Sequence, residues 1–326
     1  MNERRIVAFL HSRFGTLLMA LIAICAITLS FFNLNIYHIP TNIGMWFLSI
    51  SELFTNPTLS FITNLFALLS IATLLIIINK KFNVLRSTSN LFAGLFLVMM
   101  ASQPISSIQF NAGTLLCVTI IFSTAILFST FNRPFPRQPI FLIFLLLCTG
   151  AIAQYAYALY IPIFMLGCGQ MRVFDLKSFT AAMLGCITPI WIMCGFGLIS
   201  ITELQLPQFA NLFESIDKNL TLQLLITTSF SMLLMLSMGI LNILNVYNLN
   251  SQMRAFNGFF SILTFATAVF AIADYGNITS YIPLINCCAA FQTGHFFIAN
   301  QHKRSYIAII GIIVIYATFY WWNTLA

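Results

Sequence analysis

Residues 57–79 read PTLSFITNLFALLSIATLLIIIN, and Lys80 and Lys81 follow at once. This stretch decides the fold class. A helix rises ~1.5 Å per residue, so about 20 apolar residues cross a ~30 Å hydrocarbon core. The run holds no charge, and the two lysines behind it mark a cytoplasmic edge.

The same pattern repeats outward in both directions. Apolar runs fall at about 15–32, 57–79, 88–104, 112–131, 139–154, 156–171, 178–199, 221–245, 256–273, 279–299 and 306–322. The expected architecture is all-α: one polytopic transmembrane bundle of about eleven spans over residues 1–326. The third to sixth runs are short. Residues 88–171 are therefore two full hairpins or a set of shortened, broken helices.

Composition agrees. Hydrophobic residues make up 60% of the 326 residues and charged residues 6%, with mean hydropathy +0.95. Soluble domains carry roughly 25% charged residues. The chain cannot cover a water-facing surface, which excludes soluble enzymes, DNA-binding modules and secreted disulfide scaffolds. The net charge of +7 does not point to nucleic acid, because the basic residues stand in ones to threes beside apolar runs.

Those basic residues orient the chain. With the N-terminus in the cytoplasm, eleven crossings put Arg4, Arg5, Arg13, Lys80, Lys81, Arg86, Arg133, Arg137, Arg172, Lys177, Arg254, Lys303 and Arg304 inside. Only Lys218 falls outside. Glu52, Glu203, Glu214, Asp217 and Asp274 lie outside, and Glu3 and Asp175 inside. The C-terminus is expected outside, with Trp321, Trp322, Tyr316 and Tyr320 as an interfacial aromatic belt. The first run lacks a small-x-small cleavage site and reads as a span rather than a removed signal peptide.

Two outer segments are longer than the rest, 33–56 and 200–220. In the first, a helix is expected from about Asn42 to Phe54. Its apolar residues Met45, Trp46, Leu48, Leu53 and Phe54 suit the interface plane. Glu52 is the only acid of this loop and His38 its only histidine. Glu52 is the candidate catalytic carboxylate, and His38, Trp46 and Lys218 are the candidate substrate-binding residues.

Other chemistry is sparse. No charged residue falls in the middle of a run, which counts against a proton-coupled pump. Neutral polar residues inside runs are Asn64, Gln154, Asn242, Asn245, Asn286 and Gln292. Cys288, Gln292 and His295 share one helical face, where an interhelical hydrogen bond is expected of the histidine. The eight cysteines sit within apolar runs as small hydrophobes. His11, His38, His295 and His302 lie on different spans, so no metal site and no cofactor are expected. Pro162, Pro189 and Pro283 are expected to interrupt spans.

Residues 150–191 carry the most pattern: Gly150-Ala-Ile-Ala, Ala158-Leu-Tyr160-Ile-Pro162, Arg172-Val-Phe174, Lys177-Ser-Phe, and Leu184-Gly185-Cys-Ile-Thr-Pro189-Ile-Trp191. This stretch resembles a family of multi-pass bacterial inner-membrane proteins with a Tyr-x-Pro span, an Arg-x-Phe inner turn and a Gly-x-x-x-Pro span. Phe110-Asn-Ala-Gly113 belongs to the same pattern. That family is in turn distantly similar to membrane glycosyltransferases of the GT-C type. The resemblance implies a bacterial inner-membrane location, a first outer loop with an interfacial helix, and a catalytic base at Glu52.

Two features depart from that pattern. No second acid stands near Glu52, and Lys218 is the only outer cation to hold a lipid phosphate. The favoured expectation is thus a non-catalytic GT-C-like subunit or scaffold in cell-envelope biogenesis. Its partners would be membrane lipids and either a polyprenyl-phosphate lipid or an envelope-assembly protein. The alternatives are a transferase using a polyprenyl-phosphate sugar, and a transporter of lipid or small solute.

Overall fold

The structure, a computed structural model, describes residues 9–34, 56–85, 87, 89–134, 136–197, 218–245, 250–299 and 305–325. Among these, every one of the expected apolar runs is helical. The helices are α1 (Arg13–Asn33), α2 (Pro57–Phe82), α3 (Leu91–Ala101), α4 (Pro104–Ile108), α5 (Ala112–Ser129) and α6 (Arg137–Ala153). After them come α7 (Ala156–Gln170), α8 (Leu176–Gly195), α9 (Lys218–Asn245), α10 (Ser251–Ala273), α11 (Ile282–Ala299) and α12 (Ser305–Leu325). A 3-10 turn, Tyr275–Ser280, joins α10 to α11.

Seven helices are long and apolar enough to cross a membrane: α1, α2, α5, α8, α9, α10 and α12. Four apolar helices are shorter: α3, α6, α7 and α11. The shortfall expected over 88–171 is found in three of them, but α5 is long, and α11 was read as a full span. Its predicted start at 279 is displaced because residues 275–280 form the 3-10 turn. Pro283 therefore does not interrupt a span. It sits in the first turn of α11, where its missing N–H costs nothing. Pro162 and Pro189 do lie inside α7 and α8.

Burial explains how α3 and α11 can be short. Residues 281–295 are buried without a break, and so are 91–101 apart from Val98. A helix buried all round touches protein rather than lipid, so nothing forces its length to match the bilayer. α11 packs against α3, α5, α9 and α10, and α3 also against α1, α2 and α12. The inner helices stack rings closely, with Phe260 and Phe291 3.8 Å apart and Phe128 and Phe256 4.3 Å apart. The long helices α1, α2, α8, α9 and α12 form the outside and turn apolar side chains outward. Leu176, Leu184 and Trp191 on α8 and Phe66 on α2 are examples.

The eleven apolar helices alternate in direction. At one end, Asn132 N–H donates to Met171 O at 3.1 Å, Asn257 Nδ2 to Val84 O at 3.4 Å, and His11 Nδ1 bonds Ser89 Oγ at 2.9 Å. At the other, Ser30 Oγ meets Tyr320 Oη at 3.4 Å and Gln223 Nε2 donates to Trp322 O at 3.4 Å. Arg13, Lys80, Lys81, Arg133, Arg137, Arg172, Lys177 and Arg254 all fall at the first end, called here the basic end. Lys218 opens α9 at the opposite end, the one expected outside from the sequence and called here the outer end.

Caps follow the sequence. Ser12 accepts from Gly15 N–H at 3.0 Å, Asn111 from Thr114 N–H at 2.8 Å, and Asp175 from Ser178 N–H at 2.7 Å. Each satisfies an orphan donor of a first turn. α6 and α8 are the most closely packed pair, because Gly185 lets the backbones meet. A Cβ there would stand 2.6 Å from Phe141 O. One aromatic assignment changes. Tyr316 is buried and hydrogen-bonded to Ser231 at 2.9 Å, so it belongs to the core. Trp321 and Trp322 are exposed, as a belt requires.

Candidate functional site

The outer end of the bundle holds a layer of buried polar side chains, and the break between α3 and α4 is the reason for much of it. α3 stops at Ala101, and the chain bends through Ser102 and Gln103 before the single turn of α4. A break buried in the protein leaves carbonyls that solvent cannot reach, so protein groups must satisfy them. Asparagines from three helices do so. Asn64 on α2 donates to Ser106 O at 3.3 Å and Ser107 O at 2.7 Å. Asn111, capping α5, donates to Ser106 O at 3.2 Å, and Asn323 on α12 donates to Ser102 O at 2.7 Å. Asn286 on α11 donates to Gln103 Oε1 at 2.9 Å.

Beside this layer lies a carboxylate. Asp274 follows the last residue of α10, beyond the spanning segment, and is only 2% exposed. Its Oδ2 accepts from Tyr155 Oη in the link between α6 and α7, and from Tyr281 Oη at 3.1 Å. Its Oδ1 accepts from Asn277 Nδ2 at 2.8 Å, and the same amide nitrogen also donates to Tyr155 Oη. Next door, Gln154 Nε2 donates to Ser280 Oγ at 2.6 Å. Two turns far apart in sequence are thereby tied together. α5 closes the group from the side, where Gly113 abuts Thr279 and Ser280.

The electrostatics are unusual for an acid. The groups bonded to Asp274 are two phenols and an amide, all neutral at pH 7. Burial pushes its carboxyl above the usual carboxylate range, and the bonds from Tyr155, Tyr281 and Asn277 pull it part of the way back. Asp175, at the basic end, contrasts with it. It is half-buried, and its bond to Ser178 holds it below the usual range.

A second polar group lies deeper. Asn242 on α9 donates to Gln292 O at 2.8 Å and to Gln292 Oε1 at 2.7 Å, and Gln292 Nε2 donates to Thr264 Oγ1 at 3.0 Å. This joins α9, α10 and α11, as interhelical amides do in membranes. His295 is buried one turn further along α11, with its ring parallel to Phe291 at 6.5 Å.

Glu52, His38 and Trp46 lie outside the described residues, and so does the side chain of Lys218, although Lys218 begins α9. Most of the 33–56 and 200–220 segments falls outside them too, with the expected interfacial helix. Among the described residues no group of three metal-ligating side chains occurs. The eight cysteines are unpaired.

Asp274 is what reading the sequence missed. The sequence places it among the acids expected outside, with no sign of its burial. Its partner Tyr155 stands over a hundred residues earlier, and only packing brings the two together. Asn64, Asn242, Asn286 and Gln292 were visible as polar residues within apolar runs. Comparison with protein-family models, curated proteins and solved structures returns no match.

Proposed function

We propose that the chain is a non-catalytic, multi-pass subunit of the bacterial inner membrane that serves as a scaffold in cell-envelope biogenesis. The observation that supports this is the engagement of Asp274. A general base needs a carboxylate oxygen within reach of a substrate proton. Asp274 is enclosed, and three protein donors occupy it. The neighbouring amides are spent on the backbone of the broken helix. Such an outer end supports a rigid platform better than a reaction centre.

On this reading the partner is an envelope-assembly protein, seated on the outer end among membrane lipids. Glu52 is an interfacial carboxylate with no chemical task. The alternative ligand is a polyprenyl-phosphate lipid, which His38, Trp46 and Lys218 would contact. A GT-C transferase would instead use Glu52 as its base.

Complementation of a deletion strain decides between scaffold and transferase. Glu52→Gln keeps size and hydrogen bonding and removes the charge. At matched membrane levels the scaffold keeps full complementation. A transferase loses ~10²–10⁴-fold in rate with its base and fails to complement.

A further inference from the structure

Asp274 has a second property that a scaffold does not require. A buried charge is costly unless it is paired, and the groups bonded to Asp274 are all neutral. The elements packed around the 3-10 turn are α5, α10 and α11. The titratable groups facing Asp274 are Tyr155 from the α6–α7 link and Tyr281 at the start of α11, with Tyr160 of α7 close behind Tyr281. All are phenols, neutral at pH 7. On α5 it is Gly113 that abuts the turn, and it does not titrate.

We propose that Asp274 is a proton-binding site at the outer end of the bundle, with Asn277 as the side chain that adapts to its two states. The ionised carboxylate accepts from Tyr155, Tyr281 and Asn277 Nδ2. A proton taken from water bonds to one carboxyl oxygen, removes the charge and turns that oxygen into a donor. The neutral acid then needs an acceptor. Asn277 supplies one, because its Oδ1 is buried and has no hydrogen-bond partner. Rotation of the amide by 180° brings the Asn277 Oδ1 to the carboxyl: an O–H donated by Asp274 replaces the bond from Nδ2 to Asp274, and the bond from Nδ2 to Tyr155 Oη is given up. Tyr275, the next residue, is 47% exposed, so the turn that follows Asp274 reaches the surface of the bundle.

Cation binding fits less well. A metal ion needs lone pairs directed at it, whereas the groups around Asp274 direct hydrogens at the carboxylate. The proposal is independent of the scaffold reading, because it concerns a group that complementation by Glu52→Gln does not touch.

The test is infrared difference spectroscopy of the full chain in lipid as pH is lowered. A protonated-carboxyl band is expected with a midpoint above the usual carboxylate range, and Asp274→Asn should remove it. Asp175→Asn should leave it. Tyr155→Phe and Tyr281→Phe each remove a donor to the ionised form and should each raise the midpoint by about one pH unit. These two variants keep the test sound where Asp274→Asn fails to fold. A band with a midpoint near 4, or one unmoved by all of the variants, overturns the proposal.

Discussion

Asn323, on the last helix, donates its side-chain amide to the carbonyl oxygen of Ser102 at 2.7 Å, across 221 residues of sequence. With Asn64 on α2, it stands in for the backbone partners that the break between α3 and α4 removes. Leucine at either position would leave buried carbonyls unsatisfied, at a cost of ~1–3 kcal/mol each. Asn64→Asp should do worse than Asn64→Leu, because a carboxylate would face two carbonyl oxygens and could donate to neither. Thermal unfolding in detergent reads both effects. Equal melting of Asn64→Asp and the unmodified protein would contradict the role given to this amide.

Gly113 marks another close approach. A Cβ there would stand 2.6 Å from Ser280 O and 2.8 Å from Thr279 O, both backbone atoms. Neither can rotate aside, so Gly113→Ala must push α5 off the turn beside Asp274. Overpacking of this kind costs ~1–3 kcal/mol. Gly311→Ala on α12 is the control, since open space surrounds that position. The expected result is a lower melting temperature for the first variant and none or a slight rise for the second.

Asp274 should make stability depend on pH, and the sign follows from linkage. Its carboxyl lies above the usual range in the folded chain, so the folded state holds the proton over a window where the unfolded state has lost it. The contribution is fully present below the usual carboxylate range and is lost as pH rises through the raised value. Stability should therefore fall with rising pH across that window. Asp274→Asn should flatten the dependence there, measured by unfolding at a series of pH values and constant ionic strength. A wild-type profile that climbs through the window would be the opposite result.

The alternation of eleven apolar helices predicts opposite sides for the two ends of the bundle. The positive-inside rule predicts that the basic end faces the cytoplasm. A reporter fused after Leu325 should read extracytoplasmic, and one inserted after Phe82 cytoplasmic. A cytoplasmic reading at both sites would require the bundle to be threaded differently from the helix directions described above.

Much of this was legible in the sequence. Apolar runs located the eleven helices to within a few residues, because in lipid each helix satisfies its own backbone and needs no distant partner. The placement of charges gave the two ends for the same reason, since a charge is tolerated only where water is near. Ser12, Asn111 and Asp175 cap the helices they precede through bonds of three residues' span. Local chemistry was enough for all of these.

Tertiary structure decided the rest. Which helices are central cannot be read from α3 and α11, since their composition differs little from that of the lipid-facing α8 or α12. Burial all round is a property of neighbours, and it alone lets these two be short. Tyr316 looked like a belt residue until α9 brought Ser231 against it. Asp274 was one of five acids expected outside, and only the packing of the α6–α7 link and the start of α11 sets Tyr155 and Tyr281 upon it. Side-chain order along one helix fixes which face a residue occupies. What that face meets depends on the packing of helices far apart in the chain, and for Asp274 that packing determines both its burial and its affinity for a proton.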